Sequence, residues 1–99
     1  MTERKIALIT GGSRGIGFSC AKELAVNGCD IIINDICDEA TAKPALDEIK
    51  AIGVNAWFYQ FDVSNDDQVQ AAVEKIIAEH GKIDILLNNA GITKDGLFV

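Results

Sequence analysis

The stretch Thr10-Gly11-Gly12-Ser13-Arg14-Gly15-Ile16-Gly17 decides the fold of this 99-residue chain. It follows an apolar run and precedes a segment with helical periodicity, so it predicts a turn from a strand into a helix. Gly11 permits the sharp turn out of the strand, and Gly15 lets a phosphate group approach the backbone. Gly17 permits close packing between the helix and the strand. The spacing therefore predicts a phosphate-binding turn at a first βα junction, with a turn that only starts a helix as the alternative.

The helix that starts near Gly15 is expected to supply the anion-binding groups. A helix N-terminus presents unpaired N–H groups and the positive end of the helix dipole. This matters because the chain has a formal net charge of −6, which argues against a nucleic-acid surface with clustered Lys and Arg. Phe18 follows Gly17 where a P-loop requires Lys and then Ser or Thr, so a P-loop is excluded.

Apolar runs at nearly even spacing predict four strands, with an amphipathic helix after each of the first three. The predicted strands are Ile6–Thr10, Ile31–Asn34, Ala56–Phe61 and Ile83–Asn88. The second and fourth runs are largely continuous rather than alternating, which is typical of strands covered on both faces. The resulting β-α-β-α-β-α-β order, with connections too long for hairpins, predicts a parallel sheet with helices on both faces.

Each predicted helix has one apolar face and ends at a glycine. These glycines are Gly28, Gly53 and Gly81. Pro44 must lie in or near the first turn of the second helix, and Ser64 is the expected N-cap of the third. The expected buried faces are Ile16, Cys20 and Leu24 in the first helix, Ala42, Leu46, Ile49 and Ile52 in the second, and Val69, Val73, Ile76 and His80 in the third.

Three motifs in this order resemble the short-chain dehydrogenase/reductase family. The turn at residues 10–17 is similar to that family's TGxxxGxG turn. Asp62-Val63 resembles the Asp-Val pair after its third strand, and Asn88-Asn89-Ala90-Gly91 resembles its NNAG motif. The longer stretch at residues 88–95 further resembles 3-oxoacyl-[acyl-carrier-protein] reductases. The resemblance implies a Rossmann-type, doubly wound α/β fold with strand order 3-2-1-4.

The resemblance covers the whole chain but less than half of a family member. A doubly wound dinucleotide fold needs about six strands. The fourth strand, rich in Ile and Leu, would also be left as an unpaired edge, which is an aggregation hazard. We therefore expect residues 1–99 to be one NAD(P)-binding domain that is truncated at its C-terminus.

For the complete enzyme, the resemblance implies hydride transfer between a nicotinamide cofactor and a carbonyl or alcohol carbon. The substrate would be a small-molecule or acyl-carrier-bound carbonyl compound, and the enzyme would be a homo-oligomer. The family's catalytic Tyr is followed four residues later by Lys, and Val63 stands at that position after Tyr59. No catalytic residue is therefore assigned, and the 99-residue chain alone is expected to be inactive. The alternatives are a non-catalytic nucleotide-binding module and, more remotely, a methyltransferase, against which the NNAG-like motif speaks.

Two residues give opposite indications about the cofactor. Asp35 closes the second strand, where a carboxylate can accept hydrogen bonds from the adenosine ribose and repel a 2′-phosphate, which favours NAD. Arg14 is a cation of the kind that related reductases use to hold the 2′-phosphate of NADP. We expect NAD, with NADP as the alternative, because a carboxylate at the ribose excludes the phosphate whereas a flexible Arg need not engage it. The alternative is structural: either Asp35 or Asp38 could be the N-cap of the second helix.

Further cofactor contacts are expected where the third and fourth strands end. Asp62 would contact the adenine amino group, with a cap of the third helix as its alternative, and Asn88 would mainly tie the fourth strand to its neighbour. The full set of expected cofactor-binding residues is Gly11, Ser13, Arg14, Gly15, Ile16, Gly17, Asp35, Ile36, Asp62, Val63, Asn89, Ala90 and Gly91.

Cysteine usage and the N-terminal sequence indicate a cytoplasmic protein. Cys20, Cys29 and Cys37 form no CxxC pair and are odd in number, which is typical of free thiols in a reducing compartment. The first residues contain no signal-peptide core, and no apolar run is long enough to cross a membrane. We expect no metal site, no nucleic-acid partner and no membrane partner.

Overall fold

The computed structural model describes residues 4–89, and they form a four-stranded parallel sheet with three helices. The elements are β1 (Ile6–Thr10), α1 (Gly15–Val26), β2 (Asp30–Asp35), α2 (Glu39–Lys50), β3 (Ala56–Gln60), α3 (Asp66–His80) and β4 (Ile85–Asn88). The strand order is β3-β2-β1-β4. The predicted Rossmann-type α/β fold with strand order 3-2-1-4 is therefore confirmed.

The register of the sheet brings the ends of the strands to one edge. Thr10 at the end of β1 pairs with Asn34 of β2 on one side and with Asn88 of β4 on the other. All these pairings are parallel, so the segments that follow the strands emerge together. The chain order reverses between β1 and β4, and ligands of such folds bind in the crevice at that kind of reversal.

The core consists of two layers, one on each face of the sheet. On one face, α1 and α2 pack against residues that include Ile9, Ile31 and Ile33. On the other face, Ile76 of α3 packs against Ile6, Leu8 and Ile32. Ile31, Ile32 and Ile33 are all 0% exposed, so the second strand is covered on both faces as predicted.

The fourth strand differs from its prediction in two respects. It begins at Ile85, two residues later than predicted, because Asp84 is held at the start of β1 by hydrogen bonds to Ile6. The backbone N–H of Ile6 donates to the carboxylate of Asp84 at 2.9 Å. Leu86 is 61% exposed within the described residues, so this strand is covered there on only one face. The expectation of cover on both faces is wrong for this part of the chain.

The buried face of α1 is rotated by one residue from the predicted one. Gly17, Ala21 and Ala25 are buried, whereas Ile16 is 77% exposed. Cys20 and Leu24 are half-buried. Small residues spaced four apart let the helix lie close to the sheet, and a shift of one residue turns a helix by about 100°. The close approach of α1 to the sheet therefore determines which face of the helix is buried. The prediction that Ile16 is buried is wrong.

The second helix begins earlier than Pro44 suggested. Asp38 is the N-cap, accepting a hydrogen bond from the backbone N–H of Thr41 at 2.9 Å. Pro44 is therefore the sixth helical residue, beyond the first turn, and removes one backbone hydrogen bond on an exposed face. The helix ends at Lys50, which leaves Ile52 outside it and 38% exposed rather than buried. The other predicted core residues of this helix, Ala42, Leu46 and Ile49, are buried together with Ala45.

The third helix has a different N-cap from the one predicted. Asn65 caps it by accepting a hydrogen bond from the backbone N–H of Gln68 at 3.0 Å. Ser64 instead donates its backbone N–H and its hydroxyl to Asp62. The helix ends at His80 and is capped by Gly81, which has φ 85°, as the sequence predicts. Of the predicted buried face, Ile76 is fully buried, and Val69, Val73 and His80 are half-buried.

An aromatic and polar cluster joins β3 to the end of α3. The rings of Trp57 and His80 have centroids 4.3 Å apart. The Tyr59 hydroxyl is hydrogen-bonded to the Glu79 carboxylate and lies 3.0 Å from His80 Nε2. Desolvation, followed by the hydrogen bond and the charge of Glu79, raises the pKa of Tyr59 to about 12.

The raised pKa of Tyr59 predicts a loss of stability at alkaline pH. An unfolded tyrosine has a pKa of about 10, so the contribution of Tyr59 is complete below that pH and is lost as the pH rises towards about 12. We expect the alkaline fall in melting temperature to be shallower in Tyr59→Phe than in the wild type. Thermal unfolding across this range measures it, and tyrosinate absorbance reports on Tyr59 directly because the chain has one Tyr. Equal alkaline falls in both proteins would contradict the prediction.

Candidate cofactor-binding site

The glycine-rich turn connects β1 to α1 as predicted, and its backbone requires glycine at two positions. Gly11 has φ 65° and Gly15 has φ 63°, both in the left-handed region that side chains disfavour. Between them, Arg14 is the extended N-cap residue of α1. The backbone N–H of Gly12 donates to the carbonyl of Asn34 at 3.0 Å, which holds the turn against β2.

Gly17 is buried where three segments meet. A Cβ atom added there would overlap the carbonyl oxygen of Gly11 and lie 2.7 Å from Nδ2 of Asn89. That amide nitrogen donates to the Gly11 oxygen at 3.1 Å. Gly17 therefore allows α1 to approach both the turn and the segment after β4.

A cleft of about 380 Å³ lies between the turn and the end of β2. Asp35 has both carboxylate oxygens engaged at this cleft. Its Oδ2 accepts the backbone N–H of Ser13 at 3.3 Å and also the Ser13 hydroxyl. Its Oδ1 accepts the backbone N–H of Ile36 at 2.8 Å. The residues that line the cleft are Ser13, Arg14, Asp35, Ile36, Cys37 and Thr41.

The helix-cap interpretation of Asp35 does not hold, because Asp38 has that role. The side-chain and backbone hydrogen bonds of Thr41 hold the pKa of Asp38 below its ordinary value. Asp35 lies three residues earlier and lines the cleft instead. The cleft thus holds an acidic side chain and the cationic Arg14, the two residues with opposite implications for the cofactor.

Asp62 lies beyond the end of β3 and does not line this cleft. Its Oδ1 accepts the hydroxyl of Ser64 at 2.7 Å and the backbone N–H of Ser64 at 2.9 Å, which hold the pKa of Asp62 below its ordinary value. Its own N–H donates to Gln68 at 2.9 Å. Asp62 is exposed, and Val63 beside it is half-buried. The structure therefore places this pair at the same sheet edge as the cleft but apart from it.

The two asparagines after β4 have different roles. Thr10 donates its hydroxyl to Oδ1 of Asn88 at 3.1 Å, so Asn88 ties β4 to β1 as predicted. Asn89 reaches back to the glycine turn through its bond to Gly11. The expected contacts of Ala90 and Gly91 lie outside the described residues.

Sequence reasoning missed Asn34, which is 1% exposed. Its side-chain NH2 group donates to the backbone carbonyls of Phe61 at 2.8 Å and Tyr59 at 3.2 Å. The backbone carbonyl of Asn34 accepts the N–H of Gly12. Asn34 therefore connects the glycine turn with the segment after β3. The sequence signal for this role was an amide side chain directly after three isoleucines. An amide buried with such a strand requires hydrogen-bond partners. Thr41 in the cleft was also missed.

Other site types can be assessed only for residues 4–89. No group of three or more His, Cys, Asp or Glu in this range is arranged to hold a metal ion. No helix in the same range has the length and apolar character needed to cross a membrane. Cys20, Cys29 and Cys37 are free thiols.

Several known proteins with similar sequences or structures are dehydrogenases or reductases. The 3-oxoacyl-[acyl-carrier-protein] reductase FabG of Staphylococcus aureus (strain Mu50) is 40% identical over 99 residues, which are all of this chain and 40% of that protein. A short-chain dehydrogenase/reductase from Sinorhizobium meliloti 1021 is 38% identical, with a TM-score of 0.86 over 99% of this chain and 45% of the other. The chain thus spans about two fifths of the length of its curated relatives.

One similar solved structure carries a cofactor. It is a metagenomic short-chain oxidoreductase in complex with NADP, 32% identical, with a TM-score of 0.78 over 83% of this chain and 37% of the other. The family model for short chain dehydrogenases matches residues 5–99. That match includes the glycine turn, the cleft and the segment after β4. The chain therefore belongs to the short-chain dehydrogenase family.

Proposed function

We propose that this chain binds the adenosine and pyrophosphate part of a nicotinamide dinucleotide, for an oxidoreductase that interconverts a carbonyl and an alcohol. The observation that carries the proposal is the cleft in which the carboxylate of Asp35 lies beside the N-terminus of α1. An acidic group suited to a ribose and a helix end suited to phosphates are thereby adjacent.

The start of α1 supports the pyrophosphate contact. The first helical hydrogen bond runs from the N–H of Phe18 to the carbonyl of Arg14, so the N–H groups before Phe18 have no intrahelical acceptor. Apart from Gly15's chain neighbours and the backbone of α1 itself, no atom of residues 4–89 lies within 4 Å of the Cβ position of Gly15, which leaves open space above the backbone there. A phosphate can therefore reach these N–H groups and the positive end of the helix dipole.

Two exposed apolar side chains flank the same region. Ile16, at the start of α1, is 77% exposed, and Ile36, which lines the cleft, is 68% exposed. Ligand sites combine apolar walls with a few placed polar groups. We propose that both isoleucines pack against the bound dinucleotide, and that Asp62 contacts its adenine from the end of β3.

We propose NAD as the preferred cofactor. Arg14 lines the cleft and a solved relative is in complex with NADP, and both observations favour NADP. Asp35, however, is fixed in the cleft by hydrogen bonds, and a fixed carboxylate repels a 2′-phosphate. The exposed Arg14 makes no ion pair within residues 4–89 and can turn towards solvent. We therefore expect Asp35, rather than Arg14, to determine which cofactor binds.

For the complete protein we propose hydride transfer to a small-molecule or acyl-carrier-bound carbonyl compound. A bound nicotinamide supplies the hydride, and the described residues hold and orient the cofactor. We assign no catalytic residue to this chain and propose that its 99 residues alone bind the cofactor without catalysis. A cytoplasmic location, supported by the free thiols, and a homo-oligomeric complete enzyme are part of the same proposal.

Calorimetric titration of the chain with NAD⁺, NADP⁺ and S-adenosylmethionine tests the binding proposal. We expect both dinucleotides to bind, NAD⁺ more tightly, and S-adenosylmethionine not to bind. Absence of dinucleotide binding would overturn the proposal, and tighter binding of NADP⁺ would overturn only the cofactor preference. Turnover of any carbonyl substrate by the 99-residue chain would overturn its proposed inactivity.

The intact mass of the protein from its native source separates the enzyme from the non-catalytic module. A mass well above 10.6 kDa would identify a longer polypeptide, in which hydride transfer is then assayed. A mass of 10.6 kDa would favour the binding module.

A further inference from the structure

We infer that Ser13 determines cofactor preference indirectly, by holding the carboxylate of Asp35 in the cleft. This inference rests on the proposed role of Asp35 in selecting NAD. Ser13 is thus a positioning residue, and its hydroxyl need not contact the cofactor itself.

The hydrogen bonds around Asp35 are the first support. Oδ2 accepts both the backbone N–H and the hydroxyl of Ser13, whereas Oδ1 accepts the backbone N–H of Ile36. A carboxylate oxygen has two lone pairs, so Ser13 occupies both acceptor positions of Oδ2. Among the contacts of residues 4–89, one acceptor position then remains, on Oδ1, and it can receive a ribose hydroxyl. The contacts therefore fix which oxygen of Asp35 faces a ligand.

Cys37 is the second support. Its Sγ lies 3.8 Å from the Ser13 oxygen, at a distance suited to a weak hydrogen bond in which the thiol donates. A donor on that side of the Ser13 oxygen directs the hydroxyl hydrogen towards Asp35. Ser13, Asp35 and Cys37 all line the same cleft. The three side chains thus form one hydrogen-bonded chain that ends on the selecting carboxylate.

Loss of the Ser13 hydroxyl leaves Oδ2 with only the bond from the backbone N–H of residue 13, at 3.3 Å. The carboxylate is then held less firmly and can rotate away from the ribose position. A hydrogen bond to a charged group contributes enough binding free energy to change an affinity about tenfold. We therefore expect Ser13→Ala to reduce the preference for NAD⁺ over NADP⁺ by about tenfold. A direct contact between Ser13 and the 2′-phosphate predicts the opposite sign, since Ser13→Ala would then weaken NADP⁺ alone. The direction of the change therefore distinguishes a positioning role from a contact role.

The test measures the ratio of the NADP⁺ and NAD⁺ dissociation constants in the full chain and four variants, with melting temperatures to confirm folding. The four variants are Ser13→Ala, Ser13→Thr, Asp35→Asn and the double variant Ser13→Ala/Asp35→Asn. The expected ratio falls about tenfold in Ser13→Ala and stays within about twofold in Ser13→Thr, which keeps the hydroxyl. In the Asp35→Asn background, Ser13→Ala is expected to change the ratio no further.

Three results would overturn the inference while leaving the proposed role of Asp35 in place. They are an unchanged or increased NAD⁺ preference in Ser13→Ala, a loss of preference in Ser13→Thr as large as in Ser13→Ala, and an undiminished effect of Ser13→Ala in the Asp35→Asn background. If Asp35→Asn itself leaves the ratio unchanged, the proposed selection by Asp35 fails and the inference fails with it. If Asp35→Asn alone changes the ratio, only the role of Ser13 is wrong.

Discussion

In the Gly17→Ala variant, affinity for nicotinamide dinucleotides is expected to fall by about a hundredfold or more. The added Cβ would overlap the carbonyl oxygen of Gly11 and lie 2.7 Å from Nδ2 of Asn89. These are a backbone atom and the donor of a hydrogen bond to it, so neither can move without opening the turn. A misplacement of about 1 Å at a site can cost about 10²-fold.

The same substitution is expected to lower stability. Overpacking costs about 1–3 kcal/mol, and the better helix propensity of Ala returns up to about 1 kcal/mol of this. We therefore expect the free energy of unfolding to fall by about 1–2 kcal/mol. Thermal unfolding and calorimetric titration measure the two effects separately.

Gly28→Ala is the matched control for Gly17→Ala. Gly28 has φ 96° at the other end of α1, and within the described part of the chain only its own chain neighbours lie within 4 Å of its Cβ position. Alanine there is strained by about 1–2 kcal/mol without touching the cleft, so stability should fall while dinucleotide affinity is retained. Equal binding by Gly17→Ala and the wild type would show that the close contact at Gly17 does not shape the site.

In the Asp35→Asn variant, the preference for NAD⁺ over NADP⁺ is expected to fall by about a hundredfold. A hydrogen bond to the charged carboxylate contributes about 1.5–3 kcal/mol to NAD⁺ binding, and part of this is lost in the amide. Repulsion of a 2′-phosphate disappears at the same time, and two unit charges about 4 Å apart near a protein surface interact by about 4 kcal/mol. Asparagine is nearly isosteric with aspartate, so Asp35→Asn removes the charge and, because its NH2 group cannot accept, one of the two backbone N–H bonds. The ratio of the two dissociation constants measures it.

Asp62→Asn provides the control for charge. It removes the same charge at the same edge of the sheet, but outside the cleft. If Asp62 contacts the adenine, both dinucleotides should weaken equally and their ratio should not change. A ratio that changes as much in Asp62→Asn as in Asp35→Asn would attribute the preference to net charge instead of to the position of Asp35.

The alternation of elements was predictable because its signals are local. The continuous Ile31–Ile33 run, the glycines that follow α1 and α3, and the spacing of the turn each depend on the conformations that a few neighbouring residues can adopt. Strand order followed from the resemblance and from the handedness of crossover connections. Asp35 was recognised as a site candidate because it closes a predicted strand at the correct distance from the turn.

The errors occurred where neighbouring residues offered equivalent local solutions. Ser64 and Asn65 are both good N-caps, and the hydrogen bonds of Ser64 to Asp62 left Asn65 to cap α3. In α1, hydrophobicity favoured Ile16 as the buried residue, whereas packing against the turn required Gly17 there. Local preference alone could not choose between these alternatives.

The sequence by itself determined the β-α order, the glycine turn and the presence of an acidic residue after the second strand, because these depend on backbone freedom and hydrophobic periodicity over short distances. The tertiary structure decided the rotation of α1, the capping of α3 and the burial of Asn34 between three segments. It also brought the Ser13 hydroxyl into hydrogen-bond contact with the carboxylate of Asp35, although the two residues are 22 positions apart in the chain. Such choices depend on which distant atoms meet across the sheet edge, and only the packed chain brings those atoms together.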